Sequence, residues 1–388
     1  MRKILFLFLF FCVNQMTAQE AVLLQIEENN TLLSSLRHQA DAEKISNKTG
    51  IYLENPEVEY GYAWGNSRET GNKIDFSVMQ NFDFPTAYHH LKKLTDSQNE
   101  QVDLKYRIER KNILLEAQTI YIQLIYQNAL SEQLKRQYDL TTQIAEAYQK
   151  RFDKGDANAL DVNKAQFDLL NAKKDYYASL IDEDYFLMEL QRLNGGKAII
   201  FTEKQFPKDF LPSDFEQWYA EQMKKNLFLE SYQREIKISK TNEKLQRSKN
   251  LPKFMAGYAT EKVLTEQFQG VVVGVSIPLW ENKNTIKQIK AQTLAFEQSK
   301  YDADMQNYSQ TKALYRKAVS LKEIIDDFER FQVSDNTIIL LQKALDAGEI
   351  SLIDFITELG IYYDLVESRL EIEKDFYITL AELKQWEL

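Results

Sequence analysis

Most of the chain has apolar residues at helical spacing, but in two stretches apolar and polar residues alternate one by one. The alternation occurs at 55–85 and again, more weakly, at 251–278. Because successive side chains of a strand point to opposite faces, each stretch predicts a β-hairpin with one apolar, aromatic face and one acidic or small-residue face. The apolar face comprises Val58, Tyr60, Tyr62, Trp64, Ile74, Phe76, Val78, Phe254, Tyr258, Val271, Val273, Val275 and Ile277.

Strands with two such faces have two structural explanations. They can form the wall of a membrane barrel, where a tilted strand of about 9–11 residues crosses the bilayer between lipid and water. They can equally belong to a hairpin that lies half-buried on a soluble core. No stretch after residue 18 is apolar enough for a transmembrane helix, so a membrane-spanning form of this chain would span with strands.

Long helices are predicted between the hairpins. Residues 86–154 contain neither Gly nor Pro and predict a helix of about 100 Å at 1.5 Å per residue. Gly155 ends this helix, a returning helix follows over 159–193, and Gly195 and Gly196 end that one. Further helices are predicted over 20–49, 213–250 and 279–347 and after Gly348, with an irregular stretch at 197–212.

The two halves of the chain repeat at a constant spacing. Pro85 and Pro278 lie 193 residues apart, and so do Gly155 and Gly348. This regularity predicts a tandem duplication. The predicted organisation is a signal peptide (1–18), a first repeat (19–196) with a hairpin at 56–85 and a helical hairpin at 86–194, an equatorial linker (197–212), and a second repeat (213–388) with a hairpin at 252–278 and a helical hairpin at 279–386.

The returning helices carry apolar residues at alternating steps of three and four, which predicts antiparallel coiled-coil packing against the long helices. These positions are Val162, Ala165, Leu169, Ala172 and Tyr176 in the first repeat and Ile356, Leu359, Tyr363, Val366 and Leu370 in the second. The expected fold class is therefore mainly α with a small β part. Single-sheet membrane barrels start at about eight strands, so four strands per chain must combine with those of other chains.

The start of the chain predicts export. Arg2 and Lys3 precede an apolar run at 4–13, and the small residue Ala18 follows, which is typical of a secretory signal peptide cleaved after Ala18. Cys12 is the only cysteine and lies inside that segment, so the exported part has no disulfide and no thiolate metal site. The formal net charge of -10 argues against nucleic acid as a partner.

The sequence contains no recognisable catalytic chemistry. It has no nucleophile–base set, no phosphate-binding glycine loop and no metal-ligand spacing, so we predict neither an enzyme nor a cofactor or metal site. His89 and His90 are adjacent and would point about 100° apart on a helix, which makes them a poor chelating pair.

Two turns at the repeat spacing carry a resemblance to a known family. The first is RFDKGDANALDVNKAQ, which begins at Arg151, and the second joins Asp346-Ala347-Gly348 to Ile353-Asp354-Phe355. With the hairpin ends QNFDFP and VGVSIPLW, they make essentially the whole exported chain similar to the TolC-like outer-membrane efflux proteins. The resemblance implies a homotrimer with a 12-stranded barrel, three chains of four strands each, continuous with a periplasmic helical tunnel. It also implies a periplasmic adaptor, an inner-membrane transporter and outer-membrane lipid as partners.

The same resemblance implies two kinds of site at the helix tips. The pore aperture would be lined by Asp354, Thr357, Glu358 and Asp161, and the adaptor would dock around Arg151, Lys154, Gly155, Asp156, Asn158, Gly348, Glu349 and Ser351. Thr357 stands where the family has a second acid, and Ile350 stands where it has an arginine. A local explanation exists for Asp354, because Ser351 and Asp354 fit a capping box, mirrored by Asn158 and Asp161.

The function that we predict is a passive outer-membrane exit duct for drugs or metal ions in a tripartite efflux pump. A type I protein secretion duct of the same fold is the first alternative. The second, from a different class, is a soluble periplasmic coiled-coil or adaptor protein. An adaptor would be expected to have one helical hairpin and many Gly/Val-rich strands, whereas this chain predicts two helical hairpins and four strands.

Overall fold

The structure is a computed structural model that describes residues 18–207, 209–331 and 336–388. The predicted signal peptide lies outside the described residues except for Ala18, where the first helix begins. The chain forms two compact units. One combines Met1–Ser34, Arg110–Tyr219 and Thr311–Leu388, and the other combines Ser35–Glu109 and Ala220–Gln310.

Helices make up most of the described chain, which also contains four strands. The helices are α1 (Ala18–Asn29), α2 (Thr31–Asn47), α3 (Pro85–Asp153), α4 (Ala159–Leu193), α5 (Phe215–Met223), α6 (Leu227–Lys249), α7 (Thr285–Phe331), α8 (Asn336–Asp346) and α9 (Leu352–Leu383), followed by a 3₁₀ turn at Gln385–Glu387. The strands are β1 (Glu57–Ala63), β2 (Lys73–Phe82), β3 (Lys253–Val263) and β4 (Glu266–Ser276). The predicted fold class, mainly α with a small β part, is confirmed. Among the described residues, no helix has both the length and the apolar character that a membrane span needs.

The four strands form one antiparallel sheet in the order β1-β2-β3-β4. Its register places Tyr60 opposite Phe76 and Val78 opposite Tyr258, and Tyr258 also lies opposite Val271. Partners that lie directly opposite each other in an antiparallel pair project to the same face. The apolar residues of both hairpins therefore share one face of a single sheet, which the pairing of β2 with β3 makes continuous.

Two predicted helices are each broken into two. The helix predicted over 20–49 stops at Asn30, whose side-chain oxygen accepts a hydrogen bond from the Leu33 amide at 2.9 Å. The helix predicted over 213–250 stops before Asn226, whose side chain accepts from the amides of Phe228 and Leu229 at 3.0 and 3.1 Å. An asparagine that satisfies the free amides of a first turn starts a new helix, so the predictions of continuous helices were wrong.

The second long helix also starts later than predicted. The chain turns between Leu279 and Asn284, and α7 begins at Thr285. Asn284 has a φ of 69°, a left-handed conformation that asparagine tolerates better than most residues. The prediction of a helix from residue 279 was therefore wrong by six residues.

The main apolar core of the first unit joins α3, α4, α8 and α9. Phe355 is fully buried in this core, as Ala165 and Leu359 nearly are. Burial of a Phe side chain, compared with its exposure to water, stabilises the folded state by roughly 2 kcal/mol. Most of the predicted coiled-coil positions belong to this cluster, namely Ala165, Leu169, Ile356, Leu359, Tyr363, Val366 and Leu370.

Candidate functional site

The two helix tips end in the same hydrogen-bond pattern. At the first, Gly155 has a φ of 83° and the Asp156 amide donates to the Arg151 carbonyl at 2.8 Å. At the second, Gly348 has a φ of 75° and the Glu349 amide donates to a carbonyl five residues earlier, that of Ala344, at 2.9 Å. Glycine reaches this backbone conformation without the steric cost that a Cβ brings, which explains why α3 and α8 stop there.

The helices that leave the two tips are capped as predicted. The Asn158 side chain accepts from the Asp161 amide at 2.9 Å. At the second tip Ser351 and Asp354 form a full capping box, with hydrogen bonds in both directions. The predicted capping is thus confirmed at both tips, and only the second tip has the reciprocal bond from an acidic side chain.

The apolar residues of both tips belong to one cluster, so the two turns lie side by side. Tyr148 and Ala157 come from the first tip, and Ile350 and Phe355 come from the second. The Arg151 guanidinium lies 5.4 Å from the centre of the Tyr148 ring. Burial raises the pKa of Tyr148, although the nearby Arg151 charge acts in the opposite direction.

The tip residues that lie outside this cluster are exposed to solvent in the single chain. All the predicted docking positions are exposed: Arg151, Lys154, Gly155, Asp156, Asn158, Gly348, Glu349 and Ser351. Phe152 is also exposed and adds an apolar side chain to this surface, although the sequence analysis did not select it. Gly155, three residues later, would have indicated it, because a helix that ends at this glycine leaves its last side chains at the tip.

The four residues predicted for the pore aperture have different local environments. Asp354 is exposed, and its carboxylate accepts from the hydroxyl and the amide of Ser351 at 2.5 and 3.2 Å. These hydrogen bonds hold the pKa of Asp354 below its ordinary value. Thr357 donates its hydroxyl to the Ile353 carbonyl at 2.8 Å. Glu358 is exposed and Asp161 is partly exposed.

The apolar face of the sheet is exposed to a large extent in the single chain. Val271 and Val273 expose 79% and 73% of their surface, and Val58 and Tyr60 each expose 65%. Trp64 follows the last residue of β1 and contacts Tyr62 edge-on, with ring centres 5.3 Å apart. A contiguous apolar surface of this kind is unusual for a face that stays in water.

The opposite face of the sheet is polar and holds an ion cluster. The Lys73 ammonium lies 3.2 Å from the Asp75 carboxylate and 3.3 Å from that of Glu261. The acidic residues were predicted to lie on this face, but Lys73 was not. The strand alternation contains that signal, because Lys73 has the same parity as Asp75.

His89 and His90 lie near the start of α3. The rings of His89 and His90 lie 5.4 Å apart and meet edge-on. Burial, followed by the charges of His89, Lys244 and Lys93, lowers the pKa of His90. No group of three or more His, Cys, Asp or Glu residues in the described part of the chain could hold a metal ion.

Comparisons with known proteins show which solved structures share this fold. No protein-family profile matches the chain, and no curated protein matches it either. Solved structures do match. The CmeC outer membrane channel of Campylobacter jejuni superimposes with a TM-score of 0.75 at 12% identity, covering 95% of this chain and 85% of that one.

Two further structures agree with this match. The outer membrane protein VceC of Vibrio cholerae gives a TM-score of 0.77 at 8% identity, with 95% of each chain covered. The open state of the MtrE outer membrane channel of Neisseria gonorrhoeae gives 0.74 at 12% identity, with 95% of this chain and 88% of that chain covered. This chain has the fold of the outer-membrane channels. The TolC-like fold that the tip and hairpin motifs imply is confirmed.

Proposed function

We propose that the chain is the outer-membrane exit duct of a tripartite efflux system, and that it works as a homotrimer. Its strands would form a 12-stranded barrel from three chains, and its helices would lie in the periplasm. The duct would be passive, with energy supplied by an inner-membrane transporter, and its cargo would be drugs or metal ions.

The observation that carries this proposal is the four-stranded sheet with two different faces. One face presents exposed valine and aromatic side chains, and the other presents charged side chains. β1 and β4 form its two edges among the described residues. Backbone groups at a sheet edge cannot be left unpaired in lipid, so a membrane-embedded form requires β1 of one copy to pair with β4 of the next. The strands alternate in direction through the sheet, so this pairing would also be antiparallel.

The helix tips support the second part of the proposal. A periplasmic adaptor would dock on the exposed turns around Gly155 and Gly348. The tip carries charged side chains, among them Lys154, Asp156 and Glu349, so we expect polar contacts to contribute to that interface. Asp354, Glu358, Thr357 and Asp161 would narrow the entrance of the tunnel, with Asp354 serving both as a helix cap and as an aperture residue.

Fractionation combined with cysteine cross-linking tests the proposal. The mature chain offers a cysteine-free background, because Cys12 lies in the predicted signal peptide. Each variant carries one cysteine in β1 and one in β4 of the same chain. Variants whose two positions face each other across neighbouring chains should give disulfide-linked trimers from the outer-membrane fraction. Matched pairs between β2 and β4, which are separated by β3, should give none. A soluble periplasmic monomer that forms no linked species with any β1–β4 pair would refute the duct.

A further inference from the structure

The first turns of α3 and the last turns of α6 pack against each other at one end of the sheet. Ala87 and Leu94 of α3 form a buried cluster with Leu245 of α6. Short connections of two and three residues join β2 to α3 and α6 to β3. The sheet and both of these helix ends belong to the same unit of the chain. Side chains on this pair of helix ends therefore lie close to the edge of the apolar face.

Four basic residues, His89, His90, Lys93 and Lys244, form a cluster on this pair of helix ends, which we call the junction cluster. The rings of His89 and His90 lie 5.4 Å apart. Burial lowers the pKa of His90, and the charges of the other three residues lower it further. The Nδ1 atom of His90 is buried and has no hydrogen-bond partner in the described part of the chain. Two helices thus bring positive charge together around one imidazole.

The positive charge of the junction cluster is not balanced from within the chain. Lys93 and Lys244 are exposed, and neither forms an ion pair with any residue that the structure describes. Residues 84–95 contain no acid. Glu243, the sequence neighbour of Lys244, is bound to Arg247 at 2.7 Å. A local excess of positive charge is notable in a chain whose formal net charge is -10, and an anion would relieve it.

More lysines without an ion pair occur at the other junctions between strands and helices. They are exposed or partly exposed, and none pairs with an acid in the part of the chain that the structure describes: Lys92, Lys249, Lys283 and Lys287. Lys249 is the last residue of α6, and Lys287 lies in the first turn of α7. The junction cluster is therefore the best-defined part of a wider group of basic side chains at this end of the sheet.

Apolar side chains continue to the same junction. Ile277 and Trp280, which follow β4, expose 63% and 79% of their surface. An exposed tryptophan next to lysines is typical of the boundary between the hydrocarbon and the head groups of a bilayer. His89 and Lys93 lie four and eight residues after the start of α3, or about 6 and 12 Å along its axis. Side chains of a helix tilt toward its N-terminus, which here is the end that meets the sheet. The long lysine side chain can therefore extend toward the head groups, whose layer is about 5–8 Å thick.

We propose that the junction cluster binds the phosphodiester group of an anionic phospholipid in the leaflet that faces the periplasm. The acyl chains of this lipid lie along the apolar face of the sheet. Lys93 and Lys244 supply the positive charge, and the exposed His89 adds a hydrogen-bond donor. This inference rests on the proposed duct, because only a membrane-embedded sheet has lipid beside this junction.

Mass spectrometry of the intact protein released from detergent micelles tests the proposal. The protein is titrated with phosphatidylglycerol and, separately, with phosphatidylcholine of the same acyl chains, whose choline group neutralises the phosphate. Phosphatidylglycerol should bind more tightly. The double variant Lys93→Gln/Lys244→Gln should weaken its binding by about fivefold for each lysine, the equivalent of about 1 kcal/mol per charge at a membrane surface. Binding of phosphatidylcholine should change little in the same variant.

Two further variants separate a site from general attraction between charges. Lys93→Arg/Lys244→Arg keeps both charges and should retain the preference for phosphatidylglycerol. Lys105→Gln/Lys225→Gln is the matched control, because it removes two exposed lysines of the same unit. Lys105 lies about 18 Å further along α3, and Lys225 precedes the opposite end of α6. The control should bind phosphatidylglycerol as the wild type does.

The possible failures can be told apart. A trimer from the outer membrane that binds both lipids equally would overturn this inference and leave the duct intact. Equal weakening by the two glutamine variants would overturn it as well, and so would displacement of the lipid by inorganic phosphate at the same concentration. A soluble protein that retains no lipid would overturn the duct and this inference together.

Discussion

Ser351 and Asp354 bind each other in both directions at the start of α9. The Ser351 hydroxyl donates to the Asp354 carboxylate at 2.5 Å, and the Asp354 amide donates to the Ser351 hydroxyl oxygen at 3.2 Å. The Ser351 amide adds a third bond to the same carboxylate at 3.2 Å. An acid that closes a capping box can still present its charge to solvent, because the carboxylate has further lone pairs and Asp354 is exposed.

The two roles of Asp354 can be separated with two substitutions. Asp354→Asn removes the charge but keeps an oxygen that can accept from Ser351, so single-channel conductance in bilayers should rise while the helix stays capped. Ser351→Ala removes the cap but keeps the carboxylate, and it should destabilise the helix start by about 1 kcal/mol with a smaller effect on conductance. Conductance that is unchanged in Asp354→Asn would remove Asp354 from the aperture.

The buried cap Asn226 should matter more for stability than an exposed asparagine. Its side chain accepts from two backbone amides and donates to the Asn307 side-chain oxygen at 3.2 Å. Asn226→Ala removes the acceptor of both backbone amides, so it should lower the free energy of unfolding by about 1–2 kcal/mol. Asn163→Ala, at an exposed position of α4, is the control and should change it far less. Equal unfolding midpoints in urea for both variants would contradict the prediction.

The two faces of β4 should respond differently to a positive charge. Val273 lies on the apolar face and is exposed, whereas its neighbour Val272 lies opposite Gly257 on the polar face. If the apolar face meets lipid, Val273→Lys should cost about 2–4 kcal/mol near the middle of the bilayer. Val272→Lys should cost much less. The yield of folded protein in the outer membrane measures this, and equal yields would indicate that the apolar face does not meet lipid.

Gly71 and Leu264 should show strong coupling, because the loop of one hairpin packs against the turn of the other. A Cβ atom at Gly71 would lie 2.2 Å from Leu264 Cδ2, and Gly71 has a φ of 63°. Leu264 itself has a φ of 53°, which is unusual for a leucine. Gly71→Ala should therefore destabilise the hairpins by roughly 1–3 kcal/mol.

A second substitution identifies the cause of that loss. Leu264→Gly should recover part of the stability of Gly71→Ala, because it removes the clashing side chain and relieves the backbone of the turn. Gly270→Ala serves as the control, since a Cβ at Gly270 meets no atom within 4 Å. Thermal unfolding of the single and double variants in detergent measures the coupling. Purely additive effects would show that the contact between the two loops contributes nothing.

Glu373 should make stability depend on pH. Burial raises its pKa, Arg369 partly opposes that shift and Glu329 adds to it. Because the folded state holds the proton more tightly than the unfolded state, the stabilisation is complete below the ordinary pKa of Glu and is lost as the pH rises through the raised pKa. Glu373→Gln should therefore raise the unfolding temperature near neutral pH and change it little in acid. Glu371→Gln, at an exposed neighbouring position, should have little effect at either pH.

Features that depend on local sequence were predictable, and features that depend on contacts between distant segments were not. The alternation around Tyr60 and Val273 predicts both hairpins, and Gly155 and Gly348 mark the tips, because strand parity and left-handed turns are properties of short stretches. The helix breaks at Asn30 and Asn226 were missed, since no Gly or Pro marks them. They lie 196 residues apart, the same spacing as Pro56 and Pro252, so an alignment of the two halves could have indicated them.

The grouping of side chains between α3, α4 and α9 could not be predicted in the same way. Gln133, Asp182 and Glu367 belong to three different helices, and each helix shows only an ordinary polar face in its own sequence. Only tertiary packing brings these side chains to one opening. The ion cluster at Lys73 could be predicted in part. Strand parity indicates the face on which Lys73 lies, but its contact with Glu261 depends on the pairing of β2 with β3.

The edge strands of the sheet differ in length, since β1 has seven residues and β4 has eleven. In a ring of copies joined edge to edge, each junction would therefore carry fewer backbone bonds than the eleven-residue ladder between β3 and β4. On heating, the subunits would come apart while the longer ladders, β2 with β3 and β3 with β4, were still intact. Dissociation and unfolding would then appear as two successive transitions, and only the first would depend on protein concentration.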